Sequence, residues 1–175
     1  MKNKLGITDP LEIKRIEYDI SNFKHKLLNE SFLFNEDSVF TIAYLEKIHT
    51  FLFQDLFDEN FCRVKDNLSD ETLAYIQNTL YKIKEDVLGN DFQSLANDIY
   101  ILWEYQNTRT IRAFLKIVCL GYGLNIKHNF DEDINEDYFI GRLVDEISEV
   151  KKEKKLVEVI KWKKYLNTIL EEEKS

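Results

Sequence analysis

Asn107, Arg109 and Arg112 stand within roughly one and a half helical turns of one another, in the stretch "ILWEYQNTRTIR" at 101–112. The arginine guanidinium is a planar fork of N–H donors that matches the oxygens of a phosphate. Only five of the chain's 24 basic residues are arginines, so two in one turn point to an anion. The backbone here allows two readings. Apolar residues at helical spacing precede the stretch (Phe92, Leu95, Ala96, Ile99, Trp103) and follow it (Ile111, Phe114, Leu115, Val118), while Glu104, Gln106, Asn107, Arg109 and Thr110 leave a turn without an aliphatic side chain. Either one helix runs through with a polar, partly exposed turn, or the chain breaks at Gln106–Thr108 and a new helix starts with Asn107 or Thr108 as its cap. The break would place unpaired N–H groups at a positive dipole end, which is a ready phosphate site.

Other titratable residues offer less. His49 borders an apolar stripe and reads as a satisfied, semi-buried histidine. His25 has polar neighbours and reads as surface, and His128 follows the helix after the arginines. No two of these are spaced as metal ligands. The acids of "DEDINED" at 131–137 lack the glycine and glutamate of a calcium loop and suit a helix start instead. Cys62 and Cys119 share no metal or redox spacing and read as buried free thiols.

The elements that must position these residues are helices. Asp9, Pro10 and Glu12 announce the first, with Ile13, Ile16, Ile20, Phe23 and Leu27 as its apolar stripe. A second is expected from about Ser38 to Phe57 (Leu45, Ile48, Leu52, Leu56), and a third from about Ser69 (Leu73, Ile76, Leu80, Ile83, Val87), closed by Gly89 as its left-handed cap. A loop or small β-hairpin separates those two. The fourth covers Phe92 to Tyr105 and the fifth Thr108 to Leu120, ended by Gly121 and Gly123. A sixth is expected from about Asp133, with Leu143, Val144, Ile147 and Val150, and a separate last one through Leu156, Val159, Ile160, Tyr165, Leu166 and Ile169. One Pro and five Gly leave long helices uninterrupted, and 175 residues fit one domain, so the reading is a single all-α domain over 1–175.

Composition narrows the partners. The net charge is −8, and the densest basic cluster, Lys151, Lys152, Lys154 and Lys155, is interleaved with acid and reads as a solvated helix face. Nucleic acid is therefore disfavoured. No run is apolar enough for a membrane span or a signal peptide, so a cytoplasmic, membrane-free protein is expected.

The segment 101–112 resembles the motif of the Fic (Fido) family, H-P-F-x-D/E-G-N-G-R-x-x-R, which lies on a loop entering a helix. Laid against it, Asn107 matches the asparagine and Arg109 and Arg112 the two arginines, while Trp103 replaces the phenylalanine. "NKLGITDPLEIKRIE" is similar to the family's N-terminal signature, and "YLEKIHTFLFQDLFD" to its "L-x-x-I-H-x-x-L-F-x-D-I-Y" helix. Arg63 falls where the family keeps an arginine, and "RTIRAFLKIVCLGYGLNI" is similar to the segment after the motif. The resemblance implies a compact Fic-like bundle, with a β-hairpin flap in the "RVKDNLSDE" region. It also implies adenylyltransferase activity: transfer of AMP from ATP to a hydroxyl of a target protein.

The departures fall on the chemistry. Ile101 stands in place of the histidine that takes the hydroxyl's proton, and Leu102 replaces the proline. Tyr105 stands where the family has the Mg²⁺-holding acid, with Glu104 as an alternative if the loop is one residue shorter. Gln106 and Thr108 replace both glycines. Isoleucine cannot accept a proton, and tyrosine is a poor ligand for a hard cation. The expectation is a degenerate site that binds ATP phosphates through Asn107, Arg109 and Arg112, with Mg²⁺ in doubt and adenylylation weak or absent. A non-enzymatic interaction module on the same fold is the alternative, and a transferase using another base is a third. The nearest match to the family's inhibitory helix, Thr168 to Glu172, is followed by Glu173 where glycine or asparagine is needed.

Overall fold

The computed structural model describes residues 3–32, 34–57, 68–124, 126–127 and 136–174. Seven helices follow one another in it: α1 (Pro10–Ser31), α2 (Glu36–Val39), α3 (Ile42–Phe53), α4 (Asp70–Gly89), α5 (Phe92–Tyr105), α6 (Thr108–Gly121) and α7 (Glu136–Lys174). Among the described residues there is no strand, only a single bridge pairing Asn3 with Phe57. The protein is all-α. The expected hairpin, Cys62, Arg63, His128 and most of the acidic 131–137 stretch lie outside the described residues.

Most helices start where a side-chain oxygen can take one of the first orphan N–H groups. Asp9 accepts from Leu11 before Pro10 opens α1, Ser69 accepts from Thr72 at α4, and Asp91 accepts from Ser94 at α5. Helix α6 is the hub. Ile111, Ala113, Phe114, Leu115, Ile117, Val118 and Cys119 are all buried, which leaves it no fully solvated face. It packs on α1, α3 and α5, while α4 and α7 close over α5. The last position of α6, Gly121, has no room for a Cβ, which would lie 2.1 Å from the Phe34 ring that packs edge-on against Tyr122, and Gly123 (φ 67°) turns the chain away beyond it. Burial pushes the Cys119 thiol up to about 12, so it is inert at neutral pH.

Four expectations need correction. The second helix is divided, with α2 ending at Val39 and Thr41 capping α3 through Tyr44 N. The division is held by Gln77 of α4, whose amide donates to Phe40 O at 2.7 Å and accepts from Ile42 N at 3.2 Å. One side chain thus satisfies both backbone groups left open at the break. At the end of α4, Asn90 and not Gly89 adopts the left-handed conformation (φ 59°), a role asparagine fills through its tolerance of that region. On α1 the buried positions are Ser21, His25 and Leu28, whereas Phe23 is 62% exposed. Ile13, Ile16 and Ile20 of the expected stripe do pack against the core, but the side turned to α6 carries Tyr18, Asn22 and His25, and Phe23 lies outside both. Finally, the last two expected helices are one, α7, running 39 residues from Glu136. No proline interrupts the lysine-rich turn between the two apolar blocks, so the helix continues through it. Lys151 anchors that turn by donating from Nζ to the carbonyl of Val87.

Candidate functional site

The helix does break between α5 and α6. Gln106 is extended (φ −141°, ψ 153°) and Asn107 caps α6, its Oδ1 accepting from Arg109 N at 2.8 Å. The Oε1 of Gln106 accepts from Asn107 N at 2.8 Å, which fixes the corner from the other side. Continuous helix through 104–110 is therefore excluded. The first turn of α6 is pinned from beneath by Thr110, fully buried, whose Oγ1 lies 2.9 Å from Nδ1 of His49 on α3. The reading of His49 as a satisfied, largely buried histidine agrees with this, and burial lowers its pKa to about 4.

The two arginines have different surroundings. Arg109 is half-buried; its Nη1 donates to Asn22 Oδ1 at 3.2 Å, and its guanidinium sits 4.3 Å from the ring centre of Tyr18. Arg112 is only 2% exposed, and its guanidinium stacks 4.5 Å from the ring centre of Phe139 on α7. Two turns beyond Arg109, Lys116 donates to the carbonyl of His25 at 2.9 Å. His25 is fully buried rather than at the surface, and burial, then the nearby Lys116, Arg109 and Arg112, holds its pKa down to about 3. The seam between α1 and α6 therefore gathers three cations around a neutral imidazole. Tyr18, Asn22, His25 and Lys116 were not legible as site residues. Lys116 repeats the Arg109 position two turns on, the one spacing that could have flagged it.

Of the positions where the sequence departs from the Fic motif, Leu102 is buried in the core at 1% exposure, and Ile101 and Tyr105 are half-buried. Tyr105 packs edge-on against Tyr75 of α4, an arrangement that offers no hard oxygen ligand. Glu104 is exposed. Among the described residues no cluster of three or more His, Cys, Asp or Glu could hold a metal ion. For phosphate the fit is better, because Gln106 Nε2 is a donor at the helix corner that is shielded from solvent and has no hydrogen-bond partner. Trp103 Nε1, three residues before it on α5, is in the same state. Among the described residues no helix is long and apolar enough to cross a membrane. Compared with known proteins, the chain matches no family model, no curated protein and no solved structure.

Proposed function

We propose that the chain is a Fic-type protein of the adenylyltransferase class with a degenerate motif, which holds the phosphates of ATP at the start of α6 and transfers AMP slowly or not at all. The observation that carries this reading is the break itself. It gives α6 a positive end of its own, with Asn107 as its cap, Arg109 in its first turn, and the amide nitrogen of Gln106, which has no hydrogen-bond partner, beside it. In this reading the Arg109 guanidinium takes phosphate oxygens at the positive end of α6, with Asn107 fixing the corner through the Arg109 N–H and Arg112 adding positive charge from behind. A target hydroxyl attacking the α-phosphate would need its proton removed as pyrophosphate leaves, and Ile101 cannot do this. Lack of a general base alone costs ~10²–10⁴ in rate. Mg²⁺ has no role in the proposal, since Tyr105 is not suited to hold it.

A second reading, a non-enzymatic module that uses the fold to bind a target protein, is favoured by Arg112. At 2% exposure over Phe139, this side chain serves the contact of α6 with that ring of α7. Incubation with ATP labelled on the α-phosphate separates the two. Label on protein, raised further by the Ile101→His, Tyr105→Glu double change, supports the transferase; no label from either form leaves the module.

A further inference from the structure

The distal half of α7 carries a stripe that the bundle does not cover. Up to Ile147 the helix buries Phe139, Ile140, Leu143 and Ile147, but from position 152 onward no described residue is buried. Leu156, Trp162, Tyr165, Leu166 and Leu170 are each at least half exposed, and Val159 and Ile160 are above 40%. At 1.5 Å per residue, α7 is roughly 58 Å long against about 21 Å for α5, the helix it packs on, so its end outruns its support. A lone helix of this kind is marginal in water without a partner for its apolar face.

We propose that this stripe pairs with the same stripe of a second copy, as an antiparallel two-stranded coiled coil centred near Lys164. The inference is independent of the nucleotide reading. Val159, Trp162, Leu166 and Ile169 follow at spacings of 3, 4 and 3, the alternation of a coiled-coil seam. Antiparallel pairing sets Val159 against Ile169 and Trp162 against Leu166 of the other copy, giving four layers in register, with Leu156 and Leu170 flanking them. Charge fixes the direction. Residues 151–164 carry seven lysines against two glutamates, whereas 165–174 carry three glutamates against one lysine. Antiparallel strands bring the basic end of each helix beside the acidic end of the other, while parallel strands would stack like on like. Two copies contribute two Trp, two Tyr and twelve aliphatic side chains, enough to approach the ~1,200 Å² at which specific interfaces begin.

Sedimentation velocity of the full chain tests this. The expected result is a reversible dimer, with Leu166→Glu raising its dissociation constant by roughly tenfold or more through a buried charge. The near-ultraviolet circular dichroism of the bundle should be unchanged, because Leu166 is half exposed and supports nothing in it. In a Cys62→Ser background, Val159→Cys mixed with Ile169→Cys should form a cross-linked band of twice the chain mass, and neither variant alone should. A monomer at concentrations on the order of 100 µM overturns the proposal, whether the stripe folds back on its own bundle or serves a different protein. A dimer indifferent to Leu166→Glu also overturns it, as does Val159→Cys cross-linking to itself in preference to the mixture.

Discussion

Nδ1 of His49 and Oγ1 of Thr110 meet at 2.9 Å across 61 positions of sequence, tying the middle of α3 to the first turn of α6. Both side chains are buried, so neither atom has water to fall back on. Thr110→Val keeps the shape and deletes the hydroxyl, leaving a ring nitrogen without its partner. That substitution should cost roughly 1–3 kcal/mol in urea unfolding. A loss below a few tenths of a kcal/mol would mean that the contact does not hold the turn.

Asn107 carries the other half of the same turn through its bond to Arg109 N. Asn107→Ala should lower stability by about 0.5–2 kcal/mol, and Asn107→Gly by much less, as for helix caps elsewhere. Equal losses for the two would assign the effect to something other than capping.

How far the sequence carries is visible at these two residues. The break at 106–107, the boundaries of α5 and α6 and the stripe of α4 follow from caps and apolar spacing, which are local signals. What could not be read depends on contacts distant in the chain. Gln77 divides α2 from α3 from 37 positions away from Phe40, and the burial of His25 depends on Lys116 and α6. An amphipathic count for α1 selects Phe23 because it assumes an apolar interface, whereas α1 meets α6 through Tyr18, Asn22 and His25. Among the candidate residues, the sequence placed Asn107, Arg109 and Arg112 at the start of α6 but could not show their different burial, since Phe139 reaches Arg112 from α7.

That difference predicts a split between the arginines. Arg112→Ala removes a buried stack over Phe139 and leaves a void, and should cost roughly 2–4 kcal/mol of stability in a denaturant titration. Arg109→Ala should cost less, because Arg109 is only half-buried whereas Arg112 is nearly fully enclosed. The reverse order would contradict the assignment of Arg112 to a structural contact with Phe139.

Asp86 of α4 and Asp98 of α5 give a pH test. Both are nearly fully buried and share a hydrogen bond, with Ser94 also bonded to Asp86; burial first, then Asp98 and Asp91, pushes the Asp86 carboxyl up to about 7. A raised carboxyl pKa means that the folded chain holds a proton which the unfolded chain has released. Asp86 therefore favours folding near pH 4, and that contribution is lost as the pH rises to about 7. His25 and His49 act in the opposite sense, their lowered pKa values withdrawing stability as the pH falls below the normal histidine range. The clean readout is a difference. The melting temperature of Asp86→Asn relative to the native chain should climb between pH 4 and 8, and a flat difference would place the shared proton elsewhere.

The most direct test of the phosphate site is a calorimetric titration of ATP into the native chain and into Arg109→Ala, each with and without Mg²⁺. The account predicts saturable binding by the native chain that does not require Mg²⁺. It predicts affinity weakened by roughly tenfold or more in Arg109→Ala, from loss of a charge-assisted contact. No binding by the native chain, or equal binding by the variant, would contradict it.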